Sequence, residues 1–119
     1  MLLLKLIVLI SLRSTPALED RQVVGKLVEK VEPGVHCGIL AVASVGKFII
    51  YKDGQPTKET LKVVIRCPAD FGGRDLKSGN LYKLVISDDM ELLKNYVVND
   101  KYPNSNLEKV VLVNFEKYK

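Results

Sequence analysis

The chain has 119 residues, 47% apolar and 27% charged, which gives room for one core and is too apolar for a disordered polymer. With no Trp and only three Phe, that core must come from Val, Leu and Ile. The net charge of +4 belongs partly to the first residues: without Lys5 and Arg13, 16 basic side chains face 14 acidic ones, a balance that argues against nucleic acid or an anionic membrane as partner.

The chain opens MLLLKLIVLISLRSTPALEDRQ. Its apolar run of about a dozen residues is too short for a bilayer, which needs about 20. Small residues at Thr15 and Ala17 stand three and one before a cut after Ala17, and Glu19, Asp20 and Arg21 follow at once. The pattern is that of a secretory signal over residues 1–17, although its basic region is only the start amine and Lys5. A first strand or an amphipathic anchor is the competing reading. No cysteine follows the run, so a lipid-modified N-terminus has no support. The expectation is a secreted or periplasmic protein with one domain over residues 18–119 and no stable membrane insertion after cleavage.

From Arg21 to Pro33, RQVVGKLVEKVEP is rich in β-branched residues and stops at Pro33-Gly34, which favours a strand over a helix. GVHCGILAVASVGKFIIYK (Gly34 to Lys52) is apolar on both parities. That pattern fits a long strand buried on two sides, or one that switches faces, with Val45-Gly46 as the place for a bulge. Lys52-Asp53-Gly54-Gln55-Pro56 is a turn, in which Asp-Gly supplies positive φ and Pro56 ends the ladder.

ETLKVVIRCPAD alternates most cleanly, with Leu61, Val63, Ile65 and Cys67 on one face and Lys62 and Arg66 on the other. A glycine loop, ADFGGRDLKSGN, leads to a strand, LYKLVIS. SDDMELLKN has the acidic start of one short helix, with Ser87 as its N-cap. After YVV and the turn-rich NDKYPNSN, the chain ends in a strand within NLEKVVLVNFEK. The fold expected is all-β, a small five- to six-stranded antiparallel OB-like barrel.

The order of these segments, with Cys67, a loop, and the strand Gly79-Asn80-Leu81-Tyr82-Lys83-Leu84, resembles the netrin-like (NTR) domains, the OB-type barrels shared with tissue inhibitors of metalloproteases. The HCG and CP pair is also similar to small exported bacterial proteins. The metalloprotease inhibitors present an N-terminal cysteine to their target's zinc. A chain beginning near Leu18 has none close by, so the resemblance does not imply inhibition by that route.

Chemistry is concentrated in His36, Cys37 and Cys67. Two cysteines in an exported chain favour one disulfide, Cys37–Cys67. If Lys52 pairs near Glu59, however, Cys67 falls opposite Ser44, about 23 Å along the strand from Cys37 at about 3.3 Å per residue. The bridge then requires a bend or barrel closure to carry Cys37 back, and two separate buried thiols are the alternative. The second reading is a thiol/imidazole metal-binding protein using His36, Cys37 and Cys67, the soft ligands that Zn²⁺ or Cu(I) takes. Adjacent residues of a strand point to opposite faces, which opposes it.

No triad, phosphate loop or dinucleotide motif is present, so an enzyme is not expected and no cofactor is implied. Lys58, Lys62, Arg66, Arg74, Lys77 and Lys83 read as a solvated face; a single-strand binder would interleave them with exposed aromatics, for which Tyr51, Phe71 and Tyr82 are the candidates. The function expected is a non-catalytic binding or structural accessory module for a protein or small ligand, with the loops Ala69–Asn80 and Asp88–Asn106 carrying recognition.

Overall fold

A computed structural model describes residues 20–70 and 75–118. The expected signal sequence over residues 1–17 lies outside the described residues, as do Phe71 and Arg74. Six strands form one sheet: β1 (Arg21–Leu27), β2 (Ala41–Lys52), β3 (Gln55–Arg66), β4 (Leu81–Ser87), β5 (Tyr96–Asn99) and β6 (Glu108–Lys117). Their order is β1-β4-β6-β3-β2-β5, and β1 also pairs with β2, so the hydrogen bonding of five strands runs back on itself as a ring. The all-β expectation holds. The sheet is mixed rather than wholly antiparallel, because β3–β6 and β2–β5 are parallel.

The ring encloses the main core. Leu27, Phe48, Ile50, Leu61, Leu84 and Ile86 are each at most 2% exposed. Tyr82 lies among them, its ring edge-on to Phe115 at 5.8 Å between centroids. Its hydroxyl accepts the Lys77 amide at 2.6 Å and donates to the Asp75 carbonyl at 3.1 Å, which satisfies a polar tip that burial would otherwise penalise.

The two-sided apolar pattern of β2 has a physical cause. Its even-numbered residues Phe48 and Ile50 face the ring, while Ala43 and Val45 face outward with Val64 of β3. The segment after β4 folds over that outer face, and Leu93, Tyr96, Val98 and Tyr102 make a second, smaller core there. Residues 88–106, expected as a recognition loop, contribute these four side chains to packing, while much of the segment stays exposed. Within them the short helix is a single 3₁₀ turn, Met90–Leu93, capped by Asp89 rather than Ser87: the Asp89 carboxylate accepts the Glu91 amide at 3.0 Å.

Three boundaries differ from the sequence reading. β1 stops at Leu27, not near Pro33. The Val28 amide still reaches the Lys47 carbonyl at 2.9 Å, but the chain then leaves the ladder so that Val31 can pack over Gly46. β2 begins at Ala41 rather than near Gly34. The turn is a two-residue hairpin, with φ of 53° at Asp53 and 78° at Gly54, and Lys52 pairs with Gln55. Pro56 does not stop the ladder. It stands second in β3, opposite Tyr51, where the pairing has just shifted register and where Thr57 Oγ1 donates to the Ile50 carbonyl at 2.7 Å. That irregularity, between Ile49 and Tyr51, replaces the bulge expected at Val45-Gly46, which pair in step with Val64 and Val63.

Candidate functional site

β3 ends where Cys67 takes φ +46°, a left-handed conformation that turns the chain out of the sheet. Cys-Pro-Ala-Asp then makes a turn closed by the Asp70 amide donating to the Cys67 carbonyl at 2.9 Å, with Pro68 at the position whose φ a turn prefers fixed. On the other side, residues 34–40 form a series of bends before β2. Cys37 belongs to these bends and not to a strand, so it folds back over the start of β2, where the Val42 amide donates to its sulfur at 3.4 Å. The true register puts the Cys67 amide on the Val42 carbonyl at 2.8 Å. Both cysteines therefore meet at Val42, and they are joined: Cys37–Cys67 is a disulfide with Cα atoms 5.6 Å apart.

Asp70 is the residue that sequence reasoning missed. Its Oδ2 accepts the Cys37 amide at 2.8 Å and its Oδ1 accepts His36 Nδ1 at 2.5 Å. The sulfurs of Cys37 and Cys67 and a carboxylate oxygen of Asp70 lie within 4.8 Å of one another. His36 is brought to the same corner but engages Asp70 and not the sulfurs; its side chain is 65% exposed. With the sulfurs bonded to each other, neither is a thiolate, so the ligand set expected from His36, Cys37 and Cys67 does not exist in this state. One cue was present in the sequence: a proline directly after Cys67 marks a tight turn that returns residue 70 to it.

The outer face holds a second polar cluster. Lys62, placed on the solvated face by its parity, is 4% exposed, because the segment after β4 covers it. Its Nζ donates to Asp100 Oδ2 at 2.6 Å and to the Tyr102 carbonyl at 2.9 Å. Burial pulls the Asp100 carboxyl upward. The hydrogen bonds from Lys62 and the Tyr102 amide, with the charges of Lys62 and Lys109, outweigh that pull and hold it below the usual aspartate value. Tyr102 is pushed above the usual phenol value by burial and by the Glu29 and Asp100 carboxylates. Lys47 Nζ lies 4.7 Å from the centre of the Tyr102 ring.

Two surface features complete the candidates. Where β6 leaves β3 after Val111, Arg66, Tyr96, Leu112 and Phe115 border a groove of about 530 Å³. Along the disulfide loop, Val35, Ile39 and Leu40 are 65%, 111% and 57% exposed, and Val97 of the neighbouring β5 is 53% exposed. Among the described residues no helix is long and apolar enough to cross a membrane. Compared with known protein families, curated proteins and solved structures, the chain matches none.

Proposed function

We propose that the chain is exported, loses residues 1–17, and acts as a small OB-like, netrin-like module that binds another protein without catalysis. The observation that carries this reading is the loop between β1 and β2. It presents Val35, Ile39 and Leu40 to solvent while Cys37 between them is fixed by a disulfide and by the Asp70 carboxylate. An aliphatic tip on a fixed backbone loses little conformational entropy when a partner covers it, which is the condition for useful affinity from a small surface.

The arrangement around it supports the reading. In OB barrels the loop after the first strand and the loop after the fourth sit together as the binding edge. Here Ala41, directly after Leu40, is in register with Tyr96 of the segment that follows β4. Tyr82 is buried in the core and the exposed tip is aliphatic, which favours a protein partner over single-stranded nucleic acid. The disulfide fits an oxidising compartment.

The test is a photo-crosslinking amino acid at position 39 in the producing cells. A discrete adduct in the exported fraction, lost when Leu40→Glu is added, is the expected result. Crosslinking to water alone, or adducts indifferent to Leu40→Glu, would rule the loop out. Intact mass of the same fraction checks export separately: it should begin at Leu18 and gain two alkyl groups only after reduction.

A further inference from the structure

The bonds that hold Asp70 do not run through the disulfide. Its amide is tied to the Cys67 carbonyl at 2.9 Å, and its carboxylate to the Cys37 amide at 2.8 Å. Asp70 thus links the two cysteine-bearing segments a second time, by contacts other than the S–S bond. Around it the Cys67 amide is also fixed, on the Val42 carbonyl at 2.8 Å. The two sulfurs thus stand beside a carboxylate, with the three ligand groups within 4.8 Å of one another.

We propose that reduction of Cys37–Cys67 turns this corner into a binding site for Zn²⁺ or a similarly thiophilic divalent cation, held by both sulfurs and one Asp70 oxygen, with His36 as the positioning residue that orients Asp70. The inference is independent of the protein-binding reading. The first step breaks the S–S bond: a dithiol reductant supplies two electrons and two protons, two S–H groups form, and the reductant becomes its own disulfide. In the second step the cation displaces those two protons as the thiols become thiolate ligands. Cysteine sulfur at about 2.3 Å and carboxylate oxygen at about 2.0–2.2 Å are ordinary zinc ligands, and three protein ligands leave a fourth position to water. Cα atoms 5.6 Å apart let both sulfurs reach one ion. The needed movement falls on Cys37, which lies among bends and not in the ladder. His36 bonds to the ligand carboxylate as second partners of metal ligands do.

The experiment uses the whole exported chain, reduced with a phosphine, freed of reductant under argon, and titrated with Co²⁺ and then Zn²⁺. One equivalent of Co²⁺ should give a thiolate-to-metal charge-transfer band that Zn²⁺ abolishes, while the oxidised protein gives none. Asp70→Asn should weaken Zn²⁺ binding by about tenfold or more, and His36→Ala by less. Circular dichroism is recorded throughout. If the reduced chain loses its fold, Zn²⁺ should restore it, and Asp70→Asn should impair that recovery. No band, equal binding by oxidised protein, indifference to Asp70→Asn, or a reduced chain that Zn²⁺ cannot refold would each overturn the proposal.

Discussion

Lys47 and Lys62 stand directly opposite each other on the outer face of the β2–β3 pair, an arrangement of like charges that costs energy in an open sheet. Asp100 and Tyr102 resolve it, one by pairing with Lys62 and the other by offering its ring to Lys47. Neutralising Asp100 leaves a buried ammonium without its counter-charge. We expect Asp100→Asn to cost about 3 kcal/mol at neutral pH, read from urea unfolding. The pH dependence has a definite sign. Because the folded carboxyl lies below its unfolded value of about 3.9, the stability it contributes is complete above that value and is lost as pH falls through the folded one. The gap between wild type and Asp100→Asn should therefore narrow below about pH 4; a gap constant down to pH 2 would contradict the pairing. At this scale the sequence was only partly legible. Parity placed Lys62 outward correctly, but nothing local announced that a segment 38 residues further on would cover it. Asp70 was hidden for the same reason, being 33 residues from the amide it accepts.

Among elements, the β2–β3 hairpin shows how a local error propagates. Asp53-Gly54 was readable as a turn because both residues take positive φ. Treating Pro56 as the end of the ladder misplaced the register by two residues and set Cys67 against Ser44 instead of Val42. Gly46 was noticed for the wrong reason: it makes no bulge, and its missing side chain is the space that Val31 and Phe48 occupy. A Cβ there would stand 3.1 Å from each of them. Gly46→Ala should therefore lose about 1–3 kcal/mol through overpacking. Gly54→Ala has open space around it and pays only for φ +78°, about 1 kcal/mol. Thermal unfolding of the two variants side by side should rank them in that order, and a reversed order would show that Val31 yields freely. The inward face of β3, with Leu61, Val63 and Ile65 in the core, was legible, whereas its outer face was not, since Lys62 and Val64 are buried there.

Over the whole molecule, the strand content and the pairing of the cysteines could be read from sequence, whereas the parallel closure of β3 on β6 and the second core over β2 depend on contacts with no local signature. The disulfide spans 30 residues, and closing a loop of that size stabilises by about 3–4 kcal/mol. Domains of this kind hold about 5–15 kcal/mol in total. A Cys37→Ala/Cys67→Ala chain should thus remain folded, with its urea midpoint lowered and its slope raised as the unfolded chain expands. Complete unfolding in buffer would show that the ring and its core cannot stand without the bridge. The ring also governs how copies of the protein can meet. A sheet that closes on itself shortens its unpaired backbone edges, and among the described residues these include the outer side of β5, the half of β6 beyond Val111 and the side of residues 55–60 of β3 that faces away from β2. The first is four residues long, and the second borders the groove beside Arg66. Strand-to-strand polymerisation, the hazard of open β-sheets, finds only short stretches to template on here. Aggregation of this protein should therefore follow loss of the ring rather than precede it, and seeding by intact molecules should be poor.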